Sequence, residues 1–289
     1  MNETTICVTG VGVVSSIGIG RDDFTLTLSR GGKNPGVVES FSVEDYLESE
    51  KTYLDRCSAF TLAACALALK DARLPLRFTP PLADSAGICL GTAYGCLQTM
   101  EDFFRRVLER GPRHANSLLF SHSYANTPAS LASIEFGLRG FHSTVTAGES
   151  ASLLALVESF NALQLGYADC LLTGGVDVLS VPLKRVWANL YPGRVAGEGA
   201  VIFVLERAET VAARGLSPRA FPSLKLQSAQ GKISDPLADD VEHAIGFIPG
   251  AMDAFTAAAA LARLSLAESN GITWVSKSLP QYRFNLERK

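Results

Sequence analysis

Hydrophobic positions in the first 175 residues switch repeatedly between short strand-like runs and longer stretches with helical spacing. Residues 6–15 form a β-rich run, and residues 54–72 repeat apolar side chains every three or four positions, as one face of a helix does. The same patterns predict strands at 86–90, 143–147 and 169–173, and helices at 96–109, 128–136 and 150–165. Strands that alternate with helices predict a layered α/β fold.

The second half repeats this alternation more briefly. The pattern predicts strands at 200–205 and 223–227, helices at 206–214 and from Pro249 to 267, and a closing hairpin of 272–275 and 282–286, with Leu279 and Pro280 in its turn. Residues 231–240 are rich in Asp and Pro and lack a periodic pattern. We therefore expect this region to be the loosest of the chain.

Composition excludes several classes of protein. Of the 289 residues, 47% are hydrophobic and 19% are charged, which is typical of a globular protein rather than a disordered one. The net charge of −3 offers no large basic field for nucleic acid. The apolar runs are too short to span a membrane, and the first residues do not follow the signal-peptide pattern.

The six cysteines and four histidines point to no metal site. The cysteines stand singly within apolar runs, and the histidines lack the spacing of metal ligands. Isolated cysteines in apolar runs are typical of reduced core residues, so the sequence predicts a cytoplasmic protein.

Residues 143–165 carry the most informative pattern. A strand-like run turns sharply into a helix through Thr146-Ala147-Gly148-Glu149-Ser150, and a second strand then ends at Gly174-Gly175. Such an elbow presents one side chain at a helix N-terminus, where unpaired N–H groups and the helix dipole favour an anion. The residue at its tip is Glu149.

The order of several motifs resembles that of the β-ketoacyl synthases, which have the thiolase fold. Each motif is weak alone, and their order along residues 6–214 carries the resemblance. The motifs are Val8-Thr9-Gly10-Val11-Gly12 at the start, Leu54–Phe60, Gly137-Leu138-Arg139-Gly140, the elbow, Gly166-x-Ala168-Asp169, Gly174-Gly175-Val176, and Gly197-Glu198-Gly199-Ala200 before a strand.

The resemblance implies that the catalytic positions of the family are lost. Counting back from Gly166 aligns the family's nucleophilic cysteine with Glu149. An alignment of that cysteine with Gly148 would need a one-residue gap in the helix. A carboxylate cannot accept an acyl chain as a thioester and pass it to a carbon nucleophile. The family's second histidine falls at Phe247 and its nearby lysine at Glu242. The family's His-Gly-Thr loop has no counterpart, and the gating loop, here 276–281, contains no glycine.

The chain is also shorter than the family pattern. The resemblance implies a missing segment between Val176 and Tyr191, and a larger one between Gln227 and Gly246. We therefore predict a thiolase-like layered α/β/α/β/α fold with a shortened C-terminal half. Residues 1–180 would form an N-terminal ketosynthase-like half and residues 181–289 a reduced C-terminal half, and the two would make one compact unit.

For function, the resemblance implies a non-catalytic subunit similar to the chain length factors. Such a subunit would pair with a full-length ketosynthase, shape its acyl tunnel and work on an acyl carrier protein, in the synthesis of polyketides, aryl polyenes or fatty-acid-type products. It would need no cofactor, bind no nucleic acid and span no membrane. Candidate residues for the subunit interface and tunnel are Tyr94, Tyr124, Phe141, His142 and Thr144.

Two other functions stay open. Glu149 could act as a general base in an acyl-thioester enzyme with altered chemistry, or the chain could be a purely structural chaperone of the synthase. Simpler roles also stay open for single residues. Glu149 could only stabilise the first helical turn. Phe247 could fill the core instead of plugging a vestigial pocket, and each interface candidate could be ordinary core packing.

Overall fold

The computed structural model describes residues 4–217, 221, 223–228, 236–266, 271–276, 278–279 and 282–288. The strands are β1 (Ile6–Ser15), β2 (Gly18–Ile19), β3 (Ala86–Gly91), β4 (His142–Val145), β5 (Cys170–Asp177), β6 (Gly199–Arg207), β7 (Ser223–Ser228), β8 (Gly271–Val275) and β9 (Tyr282–Glu287). The helices are α1 (Arg21–Ser29), α2 (Arg56–Asp71), α3 (Leu82–Ser85), α4 (Leu97–Arg110), α5 (Ser117–Ser121), α6 (Thr127–Phe136), α7 (Ala151–Gln164), α8 (Val181–Leu190), α9 (Ala208–Ala213), α10 (Pro236–Ile245) and α11 (Met252–Leu266).

These strands form one mixed sheet in the order β4-β3-β5-β6-β1-β7-β9-β8, with the short β2 paired to the end of β1. Strand β3 runs parallel to both β4 and β5, and the other neighbours are antiparallel. Only Ile6 and Cys7 of β1 pair with β7. The sheet therefore consists of a five-stranded N-terminal part and a three-stranded C-terminal part that meet along a short seam.

Alternating side chains of the central strands supply two separate cores. Leu171 and Phe203 face α7 and α11, whereas their neighbours Leu172 and Ile202 face α2. Because successive side chains of a strand point to opposite faces, a sheet buried on both faces needs continuous apolar runs, and β5 and β6 have them.

The C-terminal strands have one apolar and one polar face. Trp274 and Phe284 stack with ring centroids 4.9 Å apart in the core shared with α11. On the opposite face Lys225 pairs with Glu287 at 2.8 Å, and Thr273 donates a hydrogen bond to Asn285 at 2.6 Å. A polar face can stay in water, so this reduced half needs no outer helix on that side.

Glycines in β1 let the sheet approach α2 closely. A Cβ on Gly12 would lie 2.0 Å from the carbonyl oxygen of Ala64, and one on Gly10 would lie 2.3 Å from that of Ala68. No side chain fits into such a gap. The N-terminal glycine motif is therefore explained by packing.

The mixed sheet with helices on both sides confirms the predicted thiolase-like fold. The closing hairpin is confirmed as β8 and β9, whereas Pro280 of its expected turn lies outside the described residues. Two expectations were wrong. Residues 236–240, within the segment expected to be loosest, begin α10, and Glu206 lies inside β6 rather than at a helix start. Helix α8 was not predicted. The division at residue 180 stays a prediction.

Candidate functional site

The elbow joins β4 to α7 through a tight helical turn. The turn spans Gly148–Ser150, and Gly148 has a φ of +56°, which favours glycine. Glu149 lies in the middle of the turn, directly before the 14-residue helix α7, and its side chain is 48% exposed. A carboxylate is favoured here because the helix N-terminus carries partial positive charge.

The start of α11 holds the elbow from the C-terminal half. The backbone N–H of Ser152 donates to the carbonyl of Gly250 at 3.1 Å, and the Ser152 hydroxyl accepts from the N–H of Ala254 at 3.2 Å. A Cβ on Gly175 would lie 2.5 Å from the Ser152 side chain. The elbow, the end of β5 and α11 therefore fix one another's positions.

A buried carboxylate fixes the loop after β3. Asp177 accepts hydrogen bonds from the Thr92 hydroxyl at 2.8 Å and from the backbone N–H groups of Ala93, Tyr94 and Gly250 at 3.0, 3.0 and 2.6 Å. Burial raises the pKa of Asp177, and the hydrogen bonds from these four donors oppose that rise. Asp177 thereby joins the two halves of the chain beside the elbow.

Arg194 contacts all three residues that the resemblance placed at the family's catalytic positions, Glu149, Glu242 and Phe247. Its guanidinium donates to both carboxylate oxygens of Glu242, at 2.8 and 2.7 Å, and to Glu149 at 3.3 Å. Its central carbon lies 3.3 Å from the centroid of the Phe247 ring. The site thus contains one cation between two carboxylates, stacked on an aromatic ring.

Backbone pairing explains why Arg194 reaches Phe247. The N–H of Phe247 donates to the carbonyl of Val195 at 2.7 Å, and the N–H of Gly197 donates to the carbonyl of Phe247 at 3.0 Å. Burial works to lower the pKa of Arg194, but the hydrogen bond and charge of Glu242 outweigh it, so the pKa is raised. The guanidinium remains charged.

Aromatic side chains fill the space next to Arg194. The rings of Trp187 and Tyr191 lie 4.8 Å apart, and Tyr191 lies 5.0 Å from Phe247. The hydroxyls of Tyr191 and Tyr94 are 2.8 Å apart. Burial, and then this hydrogen bond, raise the pKa of Tyr191. These rings belong to a small apolar cluster, separate from the two main cores, that also includes Leu179.

The five interface candidates lie in three places. Tyr94 lies in the aromatic group beside Arg194 rather than on the outer surface. Tyr124 is half-exposed and contacts Phe120, with ring centroids 5.1 Å apart. Phe141, His142 and Thr144 lie on or next to the edge strand β4.

Arg194 is the residue of this site that sequence reasoning missed. It follows Gly193 in a segment without periodic pattern, and only its position three residues before the Gly197-Glu198-Gly199 motif marks it. Trp187 and Tyr191 were missed with α8.

The described residues show no sign of a metal site or a membrane span. In that part of the chain, no group of three or more His, Cys, Asp or Glu side chains could hold a metal ion. No described helix is long and apolar enough to cross a membrane. All six cysteines are buried free thiols, and burial raises the pKa of Cys89 to about 12.

Solved structures define the class of protein. A β-ketoacyl synthase from Burkholderia phymatum matches with a TM-score of 0.79 at 16% identity, over 99% of this chain and 100% of that one. The ishigamide ketosynthase/chain length factor matches with a TM-score of 0.74 at 18% identity, over 98% of each chain. At such identities the likeness concerns the fold alone, and the fold is that of the ketosynthases.

Comparison of the sequence with known proteins identifies the family to which this chain belongs. Residues 40–190, just over half of the chain, match the family model "Beta-ketoacyl synthase, N-terminal domain", so this protein belongs to the β-ketoacyl synthase family. The 3-oxoacyl-[acyl-carrier-protein] synthase 2 of Synechocystis sp. is 26% identical over an alignment of 253 residues that covers 74% of this chain and 60% of that protein. The chain therefore spans about three fifths of the length of this relative.

Proposed function

We propose that this protein is a non-catalytic ketosynthase-like subunit, in the manner of a chain length factor, that pairs with an active β-ketoacyl-carrier-protein synthase and shapes its acyl tunnel. The observation that carries this proposal is the set of contacts of Arg194. This residue pairs with Glu149 and Glu242 and stacks on Phe247, at the three positions where the family pattern has cysteine, lysine and histidine. None of the four side chains is a thiol or an imidazole.

The arrangement disfavours chemistry by Glu149. One carboxylate oxygen of Glu149 already contacts Arg194. The same guanidinium also forms a bidentate ion pair with Glu242. Acyl transfer through a thioester intermediate needs a thiolate nucleophile, and none of these side chains supplies one.

The edge strand β4 supports pairing with another subunit. The N–H of Ile88 in β3 donates to the carbonyl of Phe141, and the N–H of Thr92, just after β3, donates to that of Val145. The backbone groups of the alternate residue Thr144 therefore point to the open edge of the sheet. The Thr144 hydroxyl oxygen is buried without a hydrogen-bond partner among the described residues. An unpaired sheet edge is a template for another strand.

A half-exposed aromatic group on α4 and α5 supports the same proposal. Phe103 contacts Phe104 and Phe120 with ring centroids 5.4 and 5.5 Å apart, and Phe120 contacts Tyr124. Leu108 on the same helix is 83% exposed. A contiguous apolar surface of this kind marks a site for a partner or an apolar ligand. We propose that the partner synthase covers it and that the acyl chain ends against it.

The proposal implies a heterodimer that meets an acyl carrier protein in the cytoplasm, where six reduced cysteines are stable. Polyketide or polyene assembly is the proposed pathway class, since the fold likeness includes a ketosynthase/chain length factor pair. No observation favours the chaperone function over the tunnel function.

Co-expression with a full-length ketosynthase from the native host tests the pairing. Thr144→Pro removes an N–H that points to the open edge without removing a bond to β3, whereas Thr144→Val keeps that N–H and nearly the same shape. We expect Thr144→Val to co-elute with the synthase and Thr144→Pro to elute alone, measured by size exclusion with light scattering. Co-elution of both variants would contradict pairing through β4.

Product analysis tests the tunnel. In the reconstituted complex, Phe120→Ala and Tyr124→Ala should lengthen or broaden the distribution of carrier-bound products, measured by mass spectrometry. Removing a ring leaves a space that a longer acyl chain can fill, and each methylene group buried there contributes roughly 0.8 kcal/mol to binding. Ile134→Ala, an exposed apolar residue on α6, is the matched control and should change nothing. If both aromatic variants gave unchanged products, the tunnel function would be contradicted and the structural chaperone function would be favoured.

Restoring the thiol tests the loss of catalysis. Purified Glu149→Cys protein without its partner should form no carbon–carbon bond, because Phe247 and Glu242 still replace the polarising groups. Condensation by that variant alone would show that the site is catalytically complete.

A further inference from the structure

A cavity of about 1210 Å³ lies where the sheet divides into its two parts, and we call it the seam cavity. Strand β1 pairs with β7 at Ile6 and Cys7, and its register with β6 then shifts between Val8 and Gly10. A bulge of this kind bends the strand that contains it. Strand β1 therefore leaves β7 after two paired residues, and the edge beyond them borders the cavity.

Helices from both faces of the sheet line the seam cavity. Leu67 and Lys70 of α2 lie on one side, and Leu261 and Leu264 of α11 lie on the other. The cavity thus passes the open edge of β1 from one face of the sheet to the other. Arg194 and the side chains that it contacts do not line it. The seam cavity is therefore separate from the site at the elbow.

The lining from α1 and α11 is apolar. Leu26 and Leu266 both line the cavity, and they are 47% and 64% exposed. Leu261, Leu264 and Phe221 extend the same apolar lining. A ligand with an apolar chain would remove this surface from water, which is favourable.

The lining also carries an excess of positive charge. Arg21 is already paired, with Asp71 at 2.7 Å and with Asp22 at 3.1 Å. Asp23 is the remaining acid of the lining. Three further cations line the cavity and have no carboxylate partner among the described residues: Lys70, Arg73 and Arg288. A negatively charged group next to these cations would be stabilised.

A polypeptide strand suits the seam cavity less well than a flexible chain does. The N–H of Val11 donates to the carboxylate of Asp71 at 2.9 Å, and the N–H of Gly20 donates to the carbonyl of Val13 at 2.7 Å. Because the other edge of β1 pairs with β6, both bonds lie on the open edge. An added strand would have to break them before it could pair with β1.

We propose that the seam cavity binds a single-chain anionic amphiphile of the long-chain fatty acid class. Its carboxylate would lie toward Lys70 and Arg73, and its chain along Leu261 and Leu266. The cavity is larger than the roughly 300–1,000 Å³ of most small-ligand sites, which suits a long ligand. The bound chain would contact helices on both faces of the sheet and stabilise the folded protein. This site does not depend on the proposed function.

Fluorescence of cis-parinaric acid, a fatty acid that emits when bound in an apolar site, tests the proposal. The purified protein should bind it saturably, and hexadecanoic acid should displace it. Hexadecanol has the same chain but no charge, so it should compete about tenfold less well. Lys70→Gln/Arg73→Gln should weaken the binding of the acid about tenfold for the same reason. Both side chains are exposed, so this variant should fold, as circular dichroism can check.

Arg110→Gln/Arg113→Gln is the matched control, because it removes two exposed cations outside the seam cavity. We expect this variant to bind the acid as the wild type does. Phe120→Ala/Tyr124→Ala should also keep wild-type binding, since these rings lie outside the cavity. If Lys70→Gln/Arg73→Gln does not fold, Leu26→Asp replaces it. That change puts a negative charge on the exposed apolar lining and should weaken binding about tenfold.

Hydrogen exchange measured by mass spectrometry locates the bound acid. Hexadecanoic acid should slow exchange in peptides that cover residues 8–11 and 261–266, and leave 146–153 unchanged. Three results would overturn the proposal: no saturable binding by the wild type, equal affinity in the cavity variant and the wild type, or protection at the elbow instead of the seam. None of these measurements needs a partner synthase, so they succeed or fail independently of the pairing test.

Discussion

Two carboxylates beside the elbow have opposite relations to the rest of the molecule. Asp177 is buried and accepts four hydrogen bonds from both halves of the chain. Glu149 is half-exposed and makes a single 3.3 Å ion pair to a cation that Glu242 holds more closely. Asp177 fixes the geometry of the site, whereas Glu149 lies at the tip of the elbow and contacts only one of its residues through an ion pair.

The difference separates a residue on which the shape of the site depends from one that the fold does not need. The residues that position the elbow, among them Asp177 and Ser152, accept hydrogen bonds from buried backbone N–H groups. Replacing them leaves unsatisfied groups, which is costly. The side chain of Glu149 is half-exposed, so a change of residue there costs the fold little.

The largest effect should follow from Asp177→Ala. Three backbone N–H groups and one hydroxyl would lose their acceptor in a buried place, so we expect a loss of about 3–5 kcal/mol in the free energy of unfolding. Urea denaturation measures it. Asp169→Ala is the control: its side chain is 42% exposed and pairs with Arg207 at 3.3 Å, so about 0.5 kcal/mol or less should be lost. Equal losses of unfolding free energy in Asp177→Ala and Asp169→Ala would show that the buried carboxylate stabilises the fold no more than the exposed one.

Gly12→Ala should have the second-largest effect on stability. The added Cβ would lie 2.0 Å from a backbone oxygen of α2, which cannot rotate away as a side chain can. Overpacking of this kind costs about 1–3 kcal/mol. Thermal unfolding should show a lower midpoint. A variant as stable as the wild type would mean that α2 can shift away from β1 without loss.

Arg194→Met should cost about 1–2 kcal/mol. The change keeps contact with Phe247 but leaves Glu242, whose side chain is only 23% exposed, without its cation. The double variant Arg194→Met/Glu242→Gln should recover part of this loss, since no unpaired charge would then remain. Additive losses in the double variant would show that the pair itself contributes nothing.

Glu149→Gln should have the smallest effect, a change of at most about 0.5 kcal/mol in the free energy of unfolding. Arg194 keeps its bonds to Glu242, and the amide can still accept from Arg194 with its oxygen. If the proposed function is correct, condensation by the reconstituted complex should also continue, because the partner would supply the thiolate. Loss of all condensation with normal assembly would reveal a chemical role for Glu149.

Sequence reasoning reached the positions of the site but not its contacts. The elbow and the strands around it follow from glycine placement and hydrophobic periodicity, which depend on neighbours close along the chain. The expectation of a shortened C-terminal half came from the resemblance to the family. Helix α8 was missed because the comparison with the family pattern suggested a deletion between Val176 and Tyr191. Helix α10 was missed because Asp and Pro are typical of loops.

The sequence by itself determined the alternation of strands and helices, the turn that exposes Glu149 and the absence of a cysteine there, since each depends on residues within one local segment. Only the tertiary structure decided that Glu149, Arg194, Glu242 and Phe247 meet. These residues come from four segments as far as 98 positions apart, from Glu149 to Phe247 (247 − 149). Such contacts depend on how α7, α8 and α10 pack around one sheet, and packing of distant segments leaves no periodic trace along the chain.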